Sequence, residues 1–403
     1  MVPSPHLKTL SLWLACASAA TILLGISVSQ ILLALAVGFL LLSGVPLRWP
    51  PIAAPLGLFL AWTFVALAFS PDPAAGLDQI RKMFVFLMLL VVFSSVRSLT
   101  AARWLTFSWM AIGTFTAGKG LLQFARDPNS GVYSIYVADR IRGFMSHWMT
   151  FSGQELFVLL LLAAFILFAP DVKQRLWLAV PCAVVVGLAL VLSDTRSIWI
   201  AAVIAGFYLL WGWQKRAALA MPVVLALGLL AAPANVQRRA RSIISPDSKT
   251  DSNTHRKIVW RTGWQMIKAH PLLGVGPDEI RKEKVFFAYL PADIQRPLPD
   301  GFYQHLHNIY IQYAAERGIP ATLFITLALL LALRDFRRAL RQLPAGRSDA
   351  RFLLQAAIAC IIGTMVGGVF EYNLNDSEVL AMFLSLMCVG YLAAAKGDNR
   401  LSS

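Results

Sequence analysis

The sequence predicts an all-α polytopic membrane protein, and three observations support this fold class. The 403-residue chain is 58% hydrophobic and 14% charged, whereas soluble domains carry about 25% charged residues. Its mean hydropathy is +0.64. Its apolar stretches are continuous and about 20 residues long, which suits membrane-crossing helices, while a membrane β-barrel would show alternating apolar and polar residues.

Twelve apolar runs predict about twelve transmembrane helices. They lie at residues 10–28, 30–45, 52–69, 80–96, 103–123, 151–169, 175–192, 197–213, 217–233, 307–333, 351–370 and 378–395. Small residues at 17–19 resemble a signal-peptidase site. They fall inside the first run and more runs follow, so we expect this helix to stay uncleaved.

The runs divide the chain into three regions. Residues 1–233 would hold helices 1–9, residues 234–306 a large loop, and residues 307–403 helices 10–12 with a C-terminal tail. With the N-terminus inside, sixteen Lys and Arg fall on cytoplasmic segments and six in short outer loops. The positive-inside rule therefore predicts cytoplasmic termini and a periplasmic loop. Within it, residues 254–269 have the pattern of an amphipathic helix that "HPLLGVGP" at 270–277 ends, and residues 281–290 have the pattern of a second, short one.

The outer side is basic despite this rule. Thirteen Lys and Arg lie between residues 234 and 318, and Arg126, Arg140, Arg142 and Arg196 add to them. A cationic mouth at a membrane surface suits a phosphate-bearing ligand. Contact with anionic membrane lipid is the simpler alternative. No nucleic-acid partner is expected.

Candidate polar residues stand where the large loop meets the tenth run. His307 opens a polar stripe into that run, and Asn308 beside it is a natural N-cap. His305 has the pattern of a wet interface residue. Arg196 begins the eighth run, where a helix N-terminus and an arginine together favour an anion. The alternative is an arginine that snorkels to the interface.

The segment 371–379 holds Glu371, Asp376 and Glu378 between the last two runs. Asp376 and Glu378 have the spacing of a metal-binding pair, but the pattern also fits a helix cap, which we favour. No metal site and no cofactor are predicted. The sequence lacks GxxxxGK[ST], GxSxG and HExxH, which argues against ATP-driven chemistry and against serine or zinc hydrolysis. All four cysteines lie within apolar runs.

Several motifs, in order, resemble one family. They are "RIRGF" at 140–144, "DTRS" at 194–197, "RKIVW" at 256–260, "HPLLGVG" at 270–276 and "HNIYIQYAAERGIP" at 307–320. This order, with the large loop between helices 9 and 10, is similar to the O-antigen ligase, O-antigen polymerase and protein-oligosaccharyltransferase superfamily of bacterial inner-membrane enzymes.

The resemblance implies an inverting GT-C-type glycosyltransferase that uses neither metal nor ATP. Its donor would be O-antigen on undecaprenyl diphosphate and its acceptor lipid A-core, at the periplasmic face. The essential arginines of the family fall on Arg196 and Arg256, and its histidine falls on His307. Arg142 would join both arginines in binding the diphosphate, and His307 would act as the base.

Two alternatives remain open from the sequence. An O-antigen polymerase would show the same motifs and differ only in its acceptor. A transporter of an anionic lipid or solute is a different class, and such folds often contain paired repeats with ionisable groups near the midplane. We see no such repeats, and the candidate charges cluster at one face.

Overall fold

The fold is given by a computed structural model that describes residues 5–126, 140–232, 234–241, 243, 252–298 and 304–395. This part of the chain is helical and contains no β-strand. Its α-helices are α1 (Pro5–Thr21), α2 (Ile26–Leu42), α3 (Ala53–Ala68), α4 (Leu77–Lys82), α5 (Leu87–Ser95), α6 (Leu99–Arg126), α7 (Trp148–Phe168), α8 (Val172–Leu192), α9 (Arg196–Trp213), α10 (Lys215–Ala231), α11 (Ala234–Arg241), α12 (Ser252–Ala269), α13 (Glu283–Ala288), α14 (Ile309–Gln342), α15 (Asp349–Gly367) and α16 (Ser377–Ala395). Short 3-10 turns lie at Met83–Phe86, Glu279–Arg281 and Asn373–Asn375.

The predicted apolar runs coincide with helices. The fourth run is broken, because α4, the turn Met83–Phe86 and α5 share it, and the tenth run contains a kink in α14. Among the described residues, six helices are long and apolar enough to cross a membrane: α7, α8, α9, α14, α15 and α16. The all-helical membrane architecture therefore agrees with the prediction, whereas the total of twelve crossings and the GT-C class stay predictions.

The centre of the bundle is formed by α7, α15 and α16. These helices are apolar on all sides, as buried helices are, and most of their side chains are buried. By contrast, α10 packs mainly on α9 and exposes Leu219, Val224 and Leu227. Such faces suit contact with lipid chains.

A kink divides α14 near its start. Gly318 has a φ of +80°, which is unfavourable for residues with a Cβ, and Pro320 lacks an N–H for the helical ladder. The short N-terminal piece that precedes the kink follows His307 and Asn308 directly. The position of these two residues therefore depends on how the short piece is held.

The segment after α12 is fastened to this kink. Its backbone forms three hydrogen bonds with α14: Ile319 N to Pro271 O (2.8 Å), Val275 N to Ala315 O (2.8 Å) and Gly276 N to Glu316 O (3.0 Å). The indole of Trp62 on α3 donates to Leu272 O (3.2 Å) and Arg317 O (3.0 Å). The large loop is thus attached to the bundle where "HPLLGVG" meets "ERGIP".

The described part of the large loop has its own apolar core. It contains α12 and α13, which lie at the two places where the sequence pattern predicts amphipathic helices. Val259, Met266 and Ile267 of α12 are buried in one cluster with Phe286 of α13 and Leu306. Trp264 is exposed on the other side of α12. This packing holds α12, and Arg256 near its start, against the bundle.

Candidate functional site

Several polar segments meet at one end of the bundle. They are the residues before α7, the α8–α9 turn, the first half of α12, the residues before α14 and the α15–α16 turn. In the sequence they are spread from residue 140 to residue 371. Their meeting is therefore a product of the helix packing.

Asn308 positions His307 at the start of α14. Its Oδ1 accepts hydrogen bonds from the N–H groups of the next two helical residues, both at 2.9 Å, which confirms the predicted N-cap. Its Nδ2 donates to Val369 O in the α15–α16 turn (2.8 Å). His307 itself has a φ of +49°, a region sparsely populated by residues with a Cβ. The cap thus holds a strained His307 beside the turn that carries Glu371.

Glu371 connects the elements of the site. Its side chain is only 1% exposed. One carboxylate oxygen, Oε2, lies 3.2 Å from His307 Nδ1. The other, Oε1, accepts from Ser197 Oγ (3.2 Å) and forms an ion pair with Arg256. Arg256 also donates from Nε to Phe370 O (3.0 Å). Glu371 therefore joins α9, α12 and the start of α14.

The charge on Glu371 sets the tautomer of His307. Burial alone would raise the pKa of Glu371, but Arg256 and His307 outweigh this effect and hold the pKa at about 2. The carboxylate is then ionised at neutral pH and can only accept hydrogen bonds. His307 must donate from Nδ1 to Glu371, which leaves the lone pair of Nε2 available to take a proton.

Two further histidines surround His307. The ring centroid of His305 lies 4.0 Å from that of His307, and the ring centroid of His255 lies 5.2 Å away. Burial and the neighbouring His307 lower the pKa of His305 well below its ordinary value, so His305 is neutral. The sequence suggested a wet interface position for His305, yet the structure packs it half-buried against His307.

A basic cluster lies at the α8–α9 turn. Arg196 is the first residue of α9 and is 5% exposed. Arg239 of α11 pairs with Asp194 (Nε to Oδ1, 3.1 Å), and Arg140 donates to the Asp194 carbonyl at 3.5 Å. Burial, Arg239 and Arg196 all lower the pKa of Arg140, against the pull of Asp194. These charges therefore lie within electrostatic reach of one another, as a site for a multiply charged anion requires.

Residues 181–326 match the protein-family model described as O-antigen ligase. This segment of the chain is therefore similar to the O-antigen ligase family. The family resemblance of the sequence is thus confirmed over this segment, which includes Arg196, Arg256 and His307. Its general function is of the O-antigen ligase or polymerase type, a glycosyltransferase-like activity of an integral membrane protein. A comparison with curated proteins gives no match.

The structure brings the predicted residues together unevenly. Arg256 and His307 contact the same carboxylate, and Arg196 precedes Ser197, which donates to that carboxylate. Arg142 lies outside the matched segment, with an exposed side chain that donates from Nη1 to Ser146 O (3.4 Å). Its diphosphate-binding role stays a prediction.

Sequence reasoning missed the links made by Glu371, Arg239 and His255. Glu371 was noted only as one carboxylate of a polar turn, and no spacing tied it to His307, 64 residues earlier. Arg239 was one of many basic residues in the large loop. A turn of α12 separates His255 from the Trp260 that drew attention to that helix. These three residues could be linked to the site only from the three-dimensional packing of the helices.

Asp376 takes part in packing between helices. Its Oδ2 accepts a hydrogen bond from Thr150 Oγ1 of α7 (2.9 Å), and burial raises its pKa to about 6. In the part of the chain that the structure describes, no group of three or more His, Cys, Asp or Glu side chains is placed to hold a metal ion. The site is thus built from guanidinium groups, imidazoles and one buried carboxylate.

Proposed function

We propose that the protein is an O-antigen ligase that transfers O-antigen polysaccharide from undecaprenyl diphosphate to lipid A-core at the periplasmic face of the bacterial inner membrane. One observation supports this function best. An imidazole with an oriented lone pair stands beside a cluster of arginines at the end of a membrane helix bundle. That is where two lipid-borne substrates can both arrive without leaving the bilayer.

His307 acts as the general base in this proposal. The acceptor sugar hydroxyl attacks the anomeric carbon from the side opposite the diphosphate, and its proton passes to His307 Nε2. The bond between the anomeric carbon and the diphosphate oxygen breaks, so the configuration inverts and undecaprenyl diphosphate leaves. A positioned base of this kind contributes about 10²- to 10⁴-fold in rate.

Arg196, Arg256 and Arg142 bind the diphosphate in this proposal. Negative charge grows on the leaving diphosphate, and fixed positive charges stabilise it in the transition state. A guanidinium group has five N–H donors in a planar fork. Arg256 can therefore hold Glu371 and Phe370 O while other N–H groups face a phosphate. This arrangement would need neither a metal ion nor ATP.

The competing function within the family is that of an O-antigen polymerase, which elongates a second lipid-linked repeat. The two differ in the acceptor, so the acceptor decides between them. The purified protein in liposomes would receive lipid-linked O-antigen with or without lipid A-core. A ligase forms a glycan–lipid A-core product only when lipid A-core is present. Longer lipid-linked glycan without any ligated product would establish the polymerase.

The residue roles are tested in the same assay. His307→Ala should lower the transfer rate about 10²- to 10⁴-fold because the base is lost, and added imidazole should restore part of it. His270→Ala is the control, since His270 bonds to Tyr289 in the large loop (2.6 Å). Near-normal transfer by a folded His307→Ala protein would exclude His307 as the base.

Arg256 has a matched control on the same helix. Arg256→Ala should raise the donor concentration needed for half-maximal rate and lower the rate itself, whereas Arg256→Lys should recover only part of both, because the fork geometry is lost. Arg261→Ala removes an exposed arginine of α12 that pairs with Asp293 (2.7 Å) and should leave both unchanged. Equal losses in Arg256→Ala and Arg261→Ala would argue against a specific phosphate contact.

A further inference from the structure

The exposed face of α14 changes its chemistry along the helix. After the kink it exposes leucines, and near its C-terminus it exposes arginines. Apart from the adjacent pair Arg337 and Arg338, the residues on this face follow one another at intervals of three or four, which places them in one stripe: Leu323, Leu327, Leu330, Arg334, Arg337, Arg338 and Arg341. The stripe is therefore apolar at one end and strongly cationic at the other.

An open groove of about 610 Å³ lies where the two halves of the stripe meet. All of its lining residues belong to α14: Leu330 and Leu333 on the apolar side, and the four arginines with Gln342 on the other. The helix rises about 1.5 Å per residue, so Arg337 lies roughly 28 Å along α14 from the kink at Gly318, near Tyr391 at the far end of α16. The groove is thus at the opposite end of the bundle from the candidate site, and an inference from it does not depend on the proposed function.

The arginines of the groove are poorly neutralised. Asp335 is bonded to Arg334 at 2.8 and 3.0 Å and accepts from Tyr391 Oη at 3.1 Å. Within the described ranges, Arg337, Arg338 and Arg341 have no carboxylate within salt-bridge distance. Three fixed positive charges are therefore available to an anion.

We propose that this groove is a binding site for one anionic phospholipid. Its headgroup phosphate lies on Arg337, Arg338 and Arg341, where planar guanidinium groups can bind phosphate oxygens in pairs. One acyl chain follows Leu330, Leu327 and Leu323 toward the middle of the membrane. The continuous apolar stripe selects a lipid over a soluble phosphate compound, which would use the arginines alone.

Native mass spectrometry of the full-length protein tests this site by titration with phosphatidylglycerol or phosphatidylcholine. We expect saturable retention of one tight phosphatidylglycerol and a decrease of about tenfold or more in its affinity in R337Q/R338Q/R341Q. The variant K173Q/K215Q/R216Q removes three exposed charges from the same predicted side of the membrane and serves as the control. It should keep the tight lipid.

Other results would overturn the proposal. If both triple variants lost phosphatidylglycerol affinity equally, the lipid would be held by general attraction to surface charge. Non-saturable binding of phosphatidylglycerol would lead to the same conclusion. Full displacement by millimolar pyrophosphate would indicate a phosphate site without lipid selectivity. A measurement on the unmodified protein needs no variant: phosphatidylglycerol at near-stoichiometric amounts should raise the Tm, and phosphatidylcholine should not. An equal rise with both lipids would also exclude the site.

Discussion

Glu371 forms an ion pair with Arg256 through one carboxylate oxygen and a hydrogen bond with His307 through the other. Glutamine at this position has the same shape but no charge. Its amide has one acceptor oxygen and one donor nitrogen, so it cannot accept hydrogen bonds from both partners as the carboxylate does. Glu371→Gln should therefore lower the transfer rate about 10²- to 10⁴-fold through loss of the oriented base. It should also lower the free energy of unfolding by about 3 kcal/mol, because Arg256 loses a buried counter-charge.

The control for this substitution is Glu378→Gln, in the same turn between α15 and α16. The two variants are compared by transfer kinetics and by thermal unfolding in detergent. A positioning role predicts that Glu371→Gln lowers kcat far more than it raises the KM for the acceptor. A loss of stability without any loss of kcat would show that Glu371 has only a structural role.

The pKa of Glu371 also predicts how stability depends on pH. In the folded protein the pKa is about 2, below its ordinary value of 4.5. The folded state thus favours the ionised form, and this stabilisation is complete above pH 4.5 and is lost as the pH falls toward 2. The Tm should drop over this interval, and it should drop less in Glu371→Gln. Equal slopes in both proteins would contradict this.

Asp376 changes the stability with pH in the opposite direction, so its effect must be measured separately from that of Glu371. Burial raises its pKa from 3.8 to about 6, so the folded state favours the protonated form. The stability that it provides is complete below pH 3.8 and is lost as the pH rises toward 6. Measuring the pH series in an Asp376→Asn background isolates the acid-side loss due to Glu371.

Individual residues of the candidate site could be recognised from the sequence only where they have a local context in it. His307 and Asn308 stand at the boundary between the large loop and an apolar run, and Arg196 begins another run. Glu371 lacked such a context. Its partners are set by the hydrogen bond from Asn308 Nδ2 to Val369 O, a contact between separate helices that no spacing in the sequence reveals.

Two glycines govern how the large loop is attached to α14. A Cβ on Gly318 would lie 1.8 Å from Leu272 O, and one on Gly274 would lie 2.3 Å from the Glu316 carbonyl carbon. Both glycines also have positive φ. The close approach of two backbones thus explains why "HPLLGVG" and "ERGIP" each contain a glycine at this point.

Gly318→Ala should therefore release the segment after α12 from the kink. We expect a loss of at least about 1–3 kcal/mol from backbone strain alone, faster trypsin cleavage in the loop and lower transfer. Gly187→Ala is the control, because Gly187 lies within α8 and an added Cβ meets nothing within 4 Å. Unchanged cleavage and transfer in Gly318→Ala would show that this attachment does not position the site.

The sequence predicted the helices better than their interruptions. Continuous apolar runs gave each membrane helix its place, since burial in lipid or protein favours the same residues. The tenth run was predicted as one span from 307 to 333, but α14 bends at Gly318. A glycine and a proline signal a break, yet the geometry of the break depends on Leu272 and Trp62, which are distant in sequence.

The whole molecule is basic at both ends of its bundle. Its net charge of +15 includes the arginines near His307 and those at the end of α14. Retention of positive charge in the cytoplasm accounts for only one of these groups. The other agrees with the proposed diphosphate-bearing donor, and the orientation of the chain decides which group faces the periplasm.

That orientation can be measured with single cysteines. Cys16, Cys182, Cys360 and Cys388 all lie within helices and can be replaced by serine. In this background Lys268→Cys, exposed on α12, should react with a membrane-impermeant maleimide in cells whose outer membrane has been made permeable. Arg216→Cys, exposed at the start of α10, should react only after the inner membrane is opened.

Both cysteines should react fully in detergent, which controls for local accessibility. Reaction of Arg216→Cys from the periplasm, with protection of Lys268→Cys, would place His307 in the cytoplasm. A ligase that uses periplasmic lipid A-core would then be impossible, whatever the chemistry of the site. The labelling pattern therefore tests the proposed function independently of any transfer assay, because it asks only on which side the basic cluster and the base are found.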